Sequence, residues 1–423
     1  MRSWFSKLIA RELHTGLARL LFVLYLHLAF DDMALKKIVS VDQLVAAQLV
    51  KPAQREALEG LTQRYSVAIT PAVQATFTGG GTAVASAAGI AGAASEQDPV
   101  ARQYVPTLEE AHTHPAELGD PIGDAAHSPL PGLVHRYPDR VLLKATGVCP
   151  VYCRFCFRRE MVGSNAERPL DQSQLESIFR YINDHPEIWE VIISGGDPLV
   201  LSNKRLGELF DGLRRSPHVK VVRLHSRMPM TQPDRINSQL IELLRASGKT
   251  VYFVVHANHA NEFSAVAKSA CARLVDGGIP TLSQSVLLRG VNDTEAALAA
   301  LMRAFVEARI TPYYLHQADL APGTAHFRVD LAKGQELIRR LRGRYSGLCQ
   351  PTYVVDLPGG HGKVPIAPNY VRRTSACDAQ NPTYELEDYQ GAVHSYSPPP
   401  IHKESHNSQT VAQRASGRLI DDG

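Results

Sequence analysis

Between Arg140 and Asp356 the chain repeats one texture: short runs of Val, Ile and Leu alternate with longer stretches of helical spacing. The short runs predict strands at Val141–Thr146, Val191–Gly195, Val219–His225, Val251–His256, Thr281–Leu287, Pro312–Gln317 and Tyr353–Asp356. Between them, helices are expected near 171–184, 204–215, 236–247, 262–276, 294–309 and 331–343. Helix-start signals support two of these: Asp171 with Gln174 three residues on, and Asn292-Asp293 ahead of an Ala/Leu-rich stretch. Strands alternating with helices imply right-handed crossovers and a parallel sheet. Six or seven such units in about 220 residues approach the ~250 of a full barrel. The expected class is therefore α/β, a partial (open) TIM-like (β/α) barrel, with a doubly wound open sheet as the alternative. In both, chemistry belongs at the C-terminal ends of the strands.

The flanks read differently. Residues 40–75 are helix-rich, with starts at Val41-Asp42-Gln43-Leu44 and Lys51-Pro52-Ala53-Gln54, so the barrel carries an N-terminal helical extension. Gly79 to Ser95 is an aperiodic Gly/Ala linker, and 96–136 is Pro- and His-rich and expected to wrap the surface in turns. After Tyr370 the pattern fades, and 390–423 reads as a tail, disordered in part. Leu17 to Phe30 is apolar but is interrupted by Arg19 and His27 and is short for a membrane span. Arg2, Lys7 and Arg11 precede it as in a signal peptide, yet Phe30-Asp31-Asp32 is a poor cleavage site. We read an amphipathic extension, with Met33 as an alternative start. The expected divisions are 1–39, 40–135, 136–370 and 371–423.

Composition changes this picture little. Of 423 residues 44% are apolar and 21% charged, and the net charge of +3 gives no argument for nucleic acid or an acidic membrane surface. Cysteines are more informative. Of those at 149, 153, 156, 271, 349 and 377, three fall in one short segment. That clustering points to a metal or cluster site in a reducing, cytoplasmic setting rather than to a disulfide framework.

The segment is Cys149-Pro-Val-Tyr-Cys153-Arg-Phe-Cys156-Phe-Arg-Arg, directly after the first expected strand. Three thiolates can ligate three irons of a [4Fe–4S] cubane and leave the fourth open, where the amine and carboxylate of S-adenosyl-L-methionine can chelate. A zinc site would want a second cysteine pair, which the sequence lacks; buried free thiols are the bland alternative. On this motif the chain resembles the lysine 2,3-aminomutase family of radical S-adenosylmethionine enzymes, from about residue 100 to residue 375.

The resemblance organises the remaining motifs. Ser194-Gly195-Gly196-Asp197-Pro198 matches the family's contact with the methionine part of the nucleotide, although alone it is any tight turn. His256 and Gln284 match segments on the nucleotide side. In Asp356-Leu-Pro-Gly-Gly-His-Gly362-Lys363-Val, the lysine amine can form a Schiff base with an aldehyde. A Walker loop is excluded because Val364 follows, and a flexible loop with a surface lysine is the alternative. In the family this lysine holds pyridoxal 5'-phosphate, so Lys363 is the expected catalytic residue. Arg136, Tyr137 and Arg140 resemble the segment that holds that cofactor's phosphate and ring. Arg158 matches the arginine that clamps the substrate carboxylate. Asp319 and Asp356, both at expected strand ends, form a carboxylate pair that favours a cation; in the family they hold the ε-ammonium of lysine. Each alone reads equally as a helix cap.

The resemblance thus implies an isomerase that moves an amino group between C2 and C3 of L-lysine to give β-lysine. It also implies an electron donor such as flavodoxin or ferredoxin and leaves a homo-oligomer open. Two departures stand out. The free-lysine enzymes carry further C-terminal cysteines for structural zinc, where this chain has only Cys377, and they have tyrosine where this chain has His316. The wording Cys-Arg-Phe-Cys-Phe-Arg-Arg also resembles a second branch, which serves modification of elongation factor P. The rivals are an aminomutase for another amino acid, a radical S-adenosylmethionine enzyme without pyridoxal phosphate, and a non-enzymatic relative.

Overall fold

The computed structural model describes residues 35–77, 97–163, 169–373 and 383–398. Its main feature is a nine-stranded sheet in strict sequence order, β1 (Leu133–Tyr137), β2 (Arg140–Thr146), β3 (Glu190–Gly195), β4 (Val221–Ser226), β5 (Thr250–His256), β6 (Thr281–Leu287), β7 (Thr311–Gln317), β8 (Thr352–Leu357) and β9 (Gly362–Pro365). β2 to β8 are parallel, while β1 and β9 are antiparallel to their neighbours. The sheet curls into a barrel with one seam, so the open barrel is the architecture found and the doubly wound alternative falls. At the seam the phenol of Tyr137 on β1 accepts the backbone N–H of Lys363 on β9 at 2.8 Å.

The seven strands expected from sequence are all present. They form because every second residue has a buried apolar surface to satisfy. On β2, Val141, Leu143 and Ala145 are sealed in the main core; on β3, Val191 and Ile193 are. The alternate residues, Leu142, Ile192 and Ser194, face the barrel interior. Six helices cover the outside: Gln172–Asn183, Asn203–Arg214, Ser238–Arg245, Ala265–Asp276, Glu295–Glu307 and Leu331–Leu341. Each begins at a side chain that accepts a backbone N–H: Asp171, Ser202, Asn237, Ser264, Thr294 and Asp330. For the fifth helix the cap is Thr294 and not Asn292-Asp293. Asn292 is buried, and Asp293 binds Lys333 and the Gly290 N–H.

Three expectations need correction. β1 lies inside the stretch read as surface turns, and its five residues are too few to show a period. β9 lies inside the glycine-rich segment read as a loop, where pairing with β8 outweighs glycine's poor strand propensity. The fading C-terminal region contains three short antiparallel strands, β10 (Val371–Arg373), β11 (Tyr384–Glu387) and β12 (Val393–Tyr396). All of β12 is exposed, so no buried face marks it in the sequence. These strands belong to a unit separate from the one that ends at Pro368. The linker at 79–95, Cys377, most of the 1–39 extension and the end of the tail fall outside the described residues. Among the described residues no helix is long and apolar enough to cross a membrane.

The N-terminal region forms Val41–Ala46, Arg55–Thr62 and Pro71–Gln74 around a second core that includes Leu44, Leu58, Ile69 and Tyr104. Val151 of the cysteine segment packs into that core. A buried ion cluster adds to the anchorage. Glu110 accepts Arg154 Nε at 2.8 Å and also binds Arg159 Nη2, with all three side chains sealed from solvent. Arg154 further donates to the Ser66 carbonyl at 2.7 Å, and Arg159 to those of Arg154 at 3.0 Å and Gly323 at 3.1 Å. Burial alone would raise the Glu110 pKa, but the two guanidiniums hold it below the usual range. Two buried arginines left without their counter-charge are costly, so Glu110→Gln should destabilise the protein by about 3–5 kcal/mol, read as a lower denaturation midpoint.

Candidate active site

The cysteine segment leaves the C-terminal end of β2 and is fastened at once to the turn after β3. Gly196 N–H donates to the Thr146 carbonyl at 2.5 Å, and Asp197 N–H to that of Val148 at 2.9 Å. Gly195 has φ +119°, and a Cβ there would lie 2.3 Å from the Thr146 oxygen; at Gly196 it would lie 2.3 Å from the Val148 oxygen. Only glycine tolerates that conformation and that approach. Asp197 is buried and accepts from Ser226 Oγ at 2.8 Å, Arg227 N at 2.8 Å and Leu199 N at 3.1 Å. Of the six residues expected on the nucleotide side, Ser194, His256 and Gln284 line the central cavity. Gly195, Gly196 and Asp197 hold the turn and the cysteine segment together.

Cys149, Cys153 and Cys156 are partly buried and free. Burial raises all three thiol pKa values, Cys153 to about 12, and for Cys149 and Cys153 the neighbouring cysteines push the same way. Three adjacent thiolates are therefore stable only with positive charge among them, as a ligated iron–sulfur cluster provides. Among the described residues no group of three or more His, Cys, Asp or Glu converges on a single ion. A cubane holds its cysteine sulfurs at separate corners, so the donor set suits a cluster.

Inside the barrel is a cavity of about 430 Å³. Many interior positions that would be packed aliphatics in a closed barrel are polar here, although Leu142, Ile192 and Val286 also line the cavity. Ten residues singled out from sequence line it: Arg136, Tyr137, Arg140, Arg158, Ser194, His256, Gln284, Asp319, Asp356 and Lys363. Asp124, Glu190, Arg223, His225, Tyr313 and Tyr314 line it too, and sequence reasoning missed them. Arg223 and Glu190 form a bidentate pair, 2.8 and 2.9 Å, between adjacent strands. Their strand positions carried a signal: a charged residue at an interior site of a β-rich run.

Asp124 is the more consequential omission. Its carboxylate accepts from Arg136 Nη2 at 2.9 Å and from Arg158 Nη2 at 2.9 Å, tying together the two arginines assigned to different ligands. Burial would raise its pKa, but Arg158 and Arg136 hold it low. Asp124 sits in an irregular turn, where no periodicity marks a functional side chain. Arg140 pairs with Asp139 at 2.6 Å and lies over the Tyr137 ring, 3.9 Å from its centroid.

Lys363 and Asp356 are cross-strand partners on β9 and β8, with Nζ donating to Oδ1 at 3.0 Å. His316 Nδ1 lies 3.2 Å from the other oxygen of Asp356. Burial alone would raise the Asp356 pKa, but the His316 hydrogen bond and the Lys363 charge hold it well below the usual carboxylate range. Asp319 has the opposite fate, pushed up to about 7 by burial and then by Asp356. His225 Nδ1 and His256 Nε2 are 3.2 Å apart, and burial holds both rings neutral, His256 down to about 3.

Five buried polar atoms on cavity-lining residues have no protein partner: Arg136 Nε, Arg158 Nε, His225 Nε2, His316 Nε2 and Asp319 Oδ1. Buried polar atoms are rarely left unpaired, and a cluster of them on one cavity marks where a polar ligand belongs. The guanidinium N–H groups suit phosphate or carboxylate, and the Asp319 oxygen suits a cation. With Lys363 as an amine, these residues fit an amino acid and a phosphorylated aldehyde.

The chain is similar in sequence to known proteins. Residues 143–302 match the Radical SAM superfamily, and residues 338–418 match the family described as Lysine-2,3-aminomutase. The chain is 42% identical over 302 residues to the L-lysine 2,3-aminomutase of Acetoanaerobium sticklandii, covering 71% of each chain. It is 42% identical over 302 residues to that of Clostridium subterminale, again 71% of each. To that of Fusobacterium nucleatum it is 41% identical over 307 residues, covering 72% of this chain and 70% of the relative.

Gly195→Ala tests the junction between the β3 turn and the cysteine segment. It should destabilise the protein by about 1–3 kcal/mol through forced backbone strain. It should also lower the iron and sulfide bound per chain after reconstitution, measured by elemental analysis, with Lys363→Ala as the control that retains both.

Proposed function

The chain belongs to the L-lysine 2,3-aminomutase family of radical S-adenosylmethionine proteins, and we propose that its barrel cavity isomerises L-lysine to β-lysine by moving the amino group from C2 to C3. The observation that carries this is the charge arrangement of the cavity. Arg136 and Arg158 present unpartnered N–H groups, while Asp319 and Asp356 present carboxylates. An α-amino acid with a distal ammonium satisfies both. An acidic side chain would meet two carboxylates and be rejected.

Cys149, Cys153 and Cys156 would hold the [4Fe–4S] cluster. Ser194, His256 and Gln284 would face the nucleotide, with Gly195, Gly196 and Asp197 supporting from behind. Lys363, Arg136, Tyr137 and Arg140 would hold pyridoxal 5'-phosphate by its aldehyde, phosphate and ring. When bound, the cluster and S-adenosyl-L-methionine supply a hydrogen-abstracting radical, and pyridoxal phosphate supplies an electron-delocalising ring. The chain does the rest. Arg158 orients the substrate carboxylate, and its fixed guanidinium is itself held by Asp124. Asp319 and Asp356 hold the far end, fixing which carbon lies under the radical source. The neutral His225–His256 pair adds no positive charge that would repel the incoming ammonium. A reductant such as flavodoxin or ferredoxin must feed the cluster, and free thiols suit the reducing cytoplasm.

The test is anaerobic reconstitution with iron, sulfide and pyridoxal phosphate, then S-adenosylmethionine, reductant and isotopically labelled L-lysine. β-Lysine should appear by mass spectrometry. Asp319→Asn and Asp356→Asn should each lower kcat/KM about 10- to 150-fold, the worth of a hydrogen bond to a charged group. Deoxyadenosine without β-lysine would sink the free-lysine reading and turn attention to other amino acids and to protein-bound lysine.

A further inference from the structure

His316 is buried on the cavity wall against Asp356, with Asp319 lining the same cavity, and its ring nitrogens are in different situations. Nδ1 faces Asp356 Oδ2 at 3.2 Å, and Nε2 has no partner. Which nitrogen carries the proton follows from the network. Asp356 is ionised, held so by Lys363 on its other oxygen, and an ionised carboxylate only accepts. The proton therefore sits on Nδ1. Burial keeps the ring neutral, so Nε2 keeps its lone pair, buried and unpartnered on a residue that lines the cavity. An ammonium carries three N–H donors, and two carboxylates engage only two of them in the simplest arrangement. A buried third donor with no acceptor would be costly.

We propose that His316, locked as the Nδ1–H tautomer by Asp356, presents Nε2 as a third acceptor to the substrate's distal ammonium and so sets the preference for an amino acid with a terminal cation. This rests on the reading of the cavity as the lysine site. It gives His316 a binding role beyond positioning Asp356. The imidazole adds an acceptor without adding charge, so the site favours a cation without further like-charge repulsion between acids.

His316→Asn separates the two roles. The asparagine amide can take the place of Nδ1 and still donate to Asp356, while nothing replaces Nε2. The protein is reconstituted with cluster, S-adenosylmethionine and pyridoxal phosphate, without reductant, and binding is measured by calorimetry. The ligands are L-lysine and L-2-aminoheptanoate, in which a methyl group replaces the ammonium. His316→Asn should weaken lysine on the order of tenfold, the loss of one charged hydrogen bond, and leave the neutral analogue unchanged. In turnover, KM for lysine should rise with kcat little altered. Unchanged lysine affinity would mean that His316 only positions Asp356, and equal weakening of both ligands would mean a disturbed pocket; either result overturns the proposal. ¹⁵N NMR of the wild-type protein gives a check that needs no variant. The His316 Nε2 resonance should start in the unprotonated range and move when lysine binds but not when the analogue binds; a protonated Nε2 at the outset overturns the assignment. Failure of the wild type to prefer lysine over the analogue is a different result, which removes the lysine-site reading itself.

Discussion

The buried Glu110–Arg154–Arg159 cluster is the constraint on which the rest of the site depends. The cysteine segment has no regular secondary structure of its own, so its backbone must be fixed by side chains. Of the three arginines between and after the cysteines, Arg154 and Arg159 turn inward to a single carboxylate carried by the N-terminal region. A buried ion cluster contributes little net stability, because desolvation offsets attraction. What it contributes is specificity of position, since any other placement of the segment leaves three charges unpaired. Arg154 N–H also donates to the Gln103 carbonyl at 2.8 Å. Gln103 in turn joins Arg227 and Glu262 in a second buried network, in which Arg227 donates to Glu262 at 2.6 Å. The N-terminal helices are thus part of the cysteine site.

The barrel interior depends on a compromise of the same kind. Its outer face is an ordinary aliphatic core, and that core supplies the stability that lets the inner face be polar. Charged interior residues are admitted only in compensated sets: Glu190 with Arg223, Asp124 with Arg136 and Arg158, Asp356 with Lys363 and His316. Three of the five unpartnered atoms, Arg136 Nε, Arg158 Nε and His316 Nε2, belong to those sets, while Asp319 Oδ1 and His225 Nε2 stand outside them. Such a set can therefore give up or share one contact when a ligand arrives, at less cost than exposing a lone buried charge.

Much of this was legible in the sequence, for reasons that differ by residue. The parallel strands were readable because their outward residues are buried and apolar, giving short runs rich in Val, Ile and Leu, and the helices because their caps are polar and local. The cysteines, Lys363 and the two aspartates were readable because they stand at strand ends, where the topology gathers side chains into one place. Asp124 was not, because its importance is a tertiary fact: it lies in a turn and meets arginines 12 and 34 residues away. The role of Gly195 and Gly196 was half legible. Two adjacent glycines announce a close approach, but not that the approaching group is the backbone leading into Cys149. β12 was invisible because none of its residues is buried.

The Lys363–Asp356 pair joins the two ends of the argument. Nζ lies on the carboxylate that the ammonium of a substrate would use, so lysine's cation already has a stand-in within the chain. While Lys363 stays there, Asp356 has little residual demand for charge, and Asp319 can shed its own by holding a proton. Engage the Lys363 amine elsewhere, and Asp319 loses a positive charge that lowers its pKa, so it holds its proton more firmly beside Asp356. Like charges in a low-dielectric cavity repel strongly, so the two acids keep that proton until a cation enters and takes its place. The affinity for a basic side chain is then conditional on Lys363 having left Asp356. Substitution of the lysine alone, without a cation to replace it, should be read as a change to the ammonium site as much as to the amine.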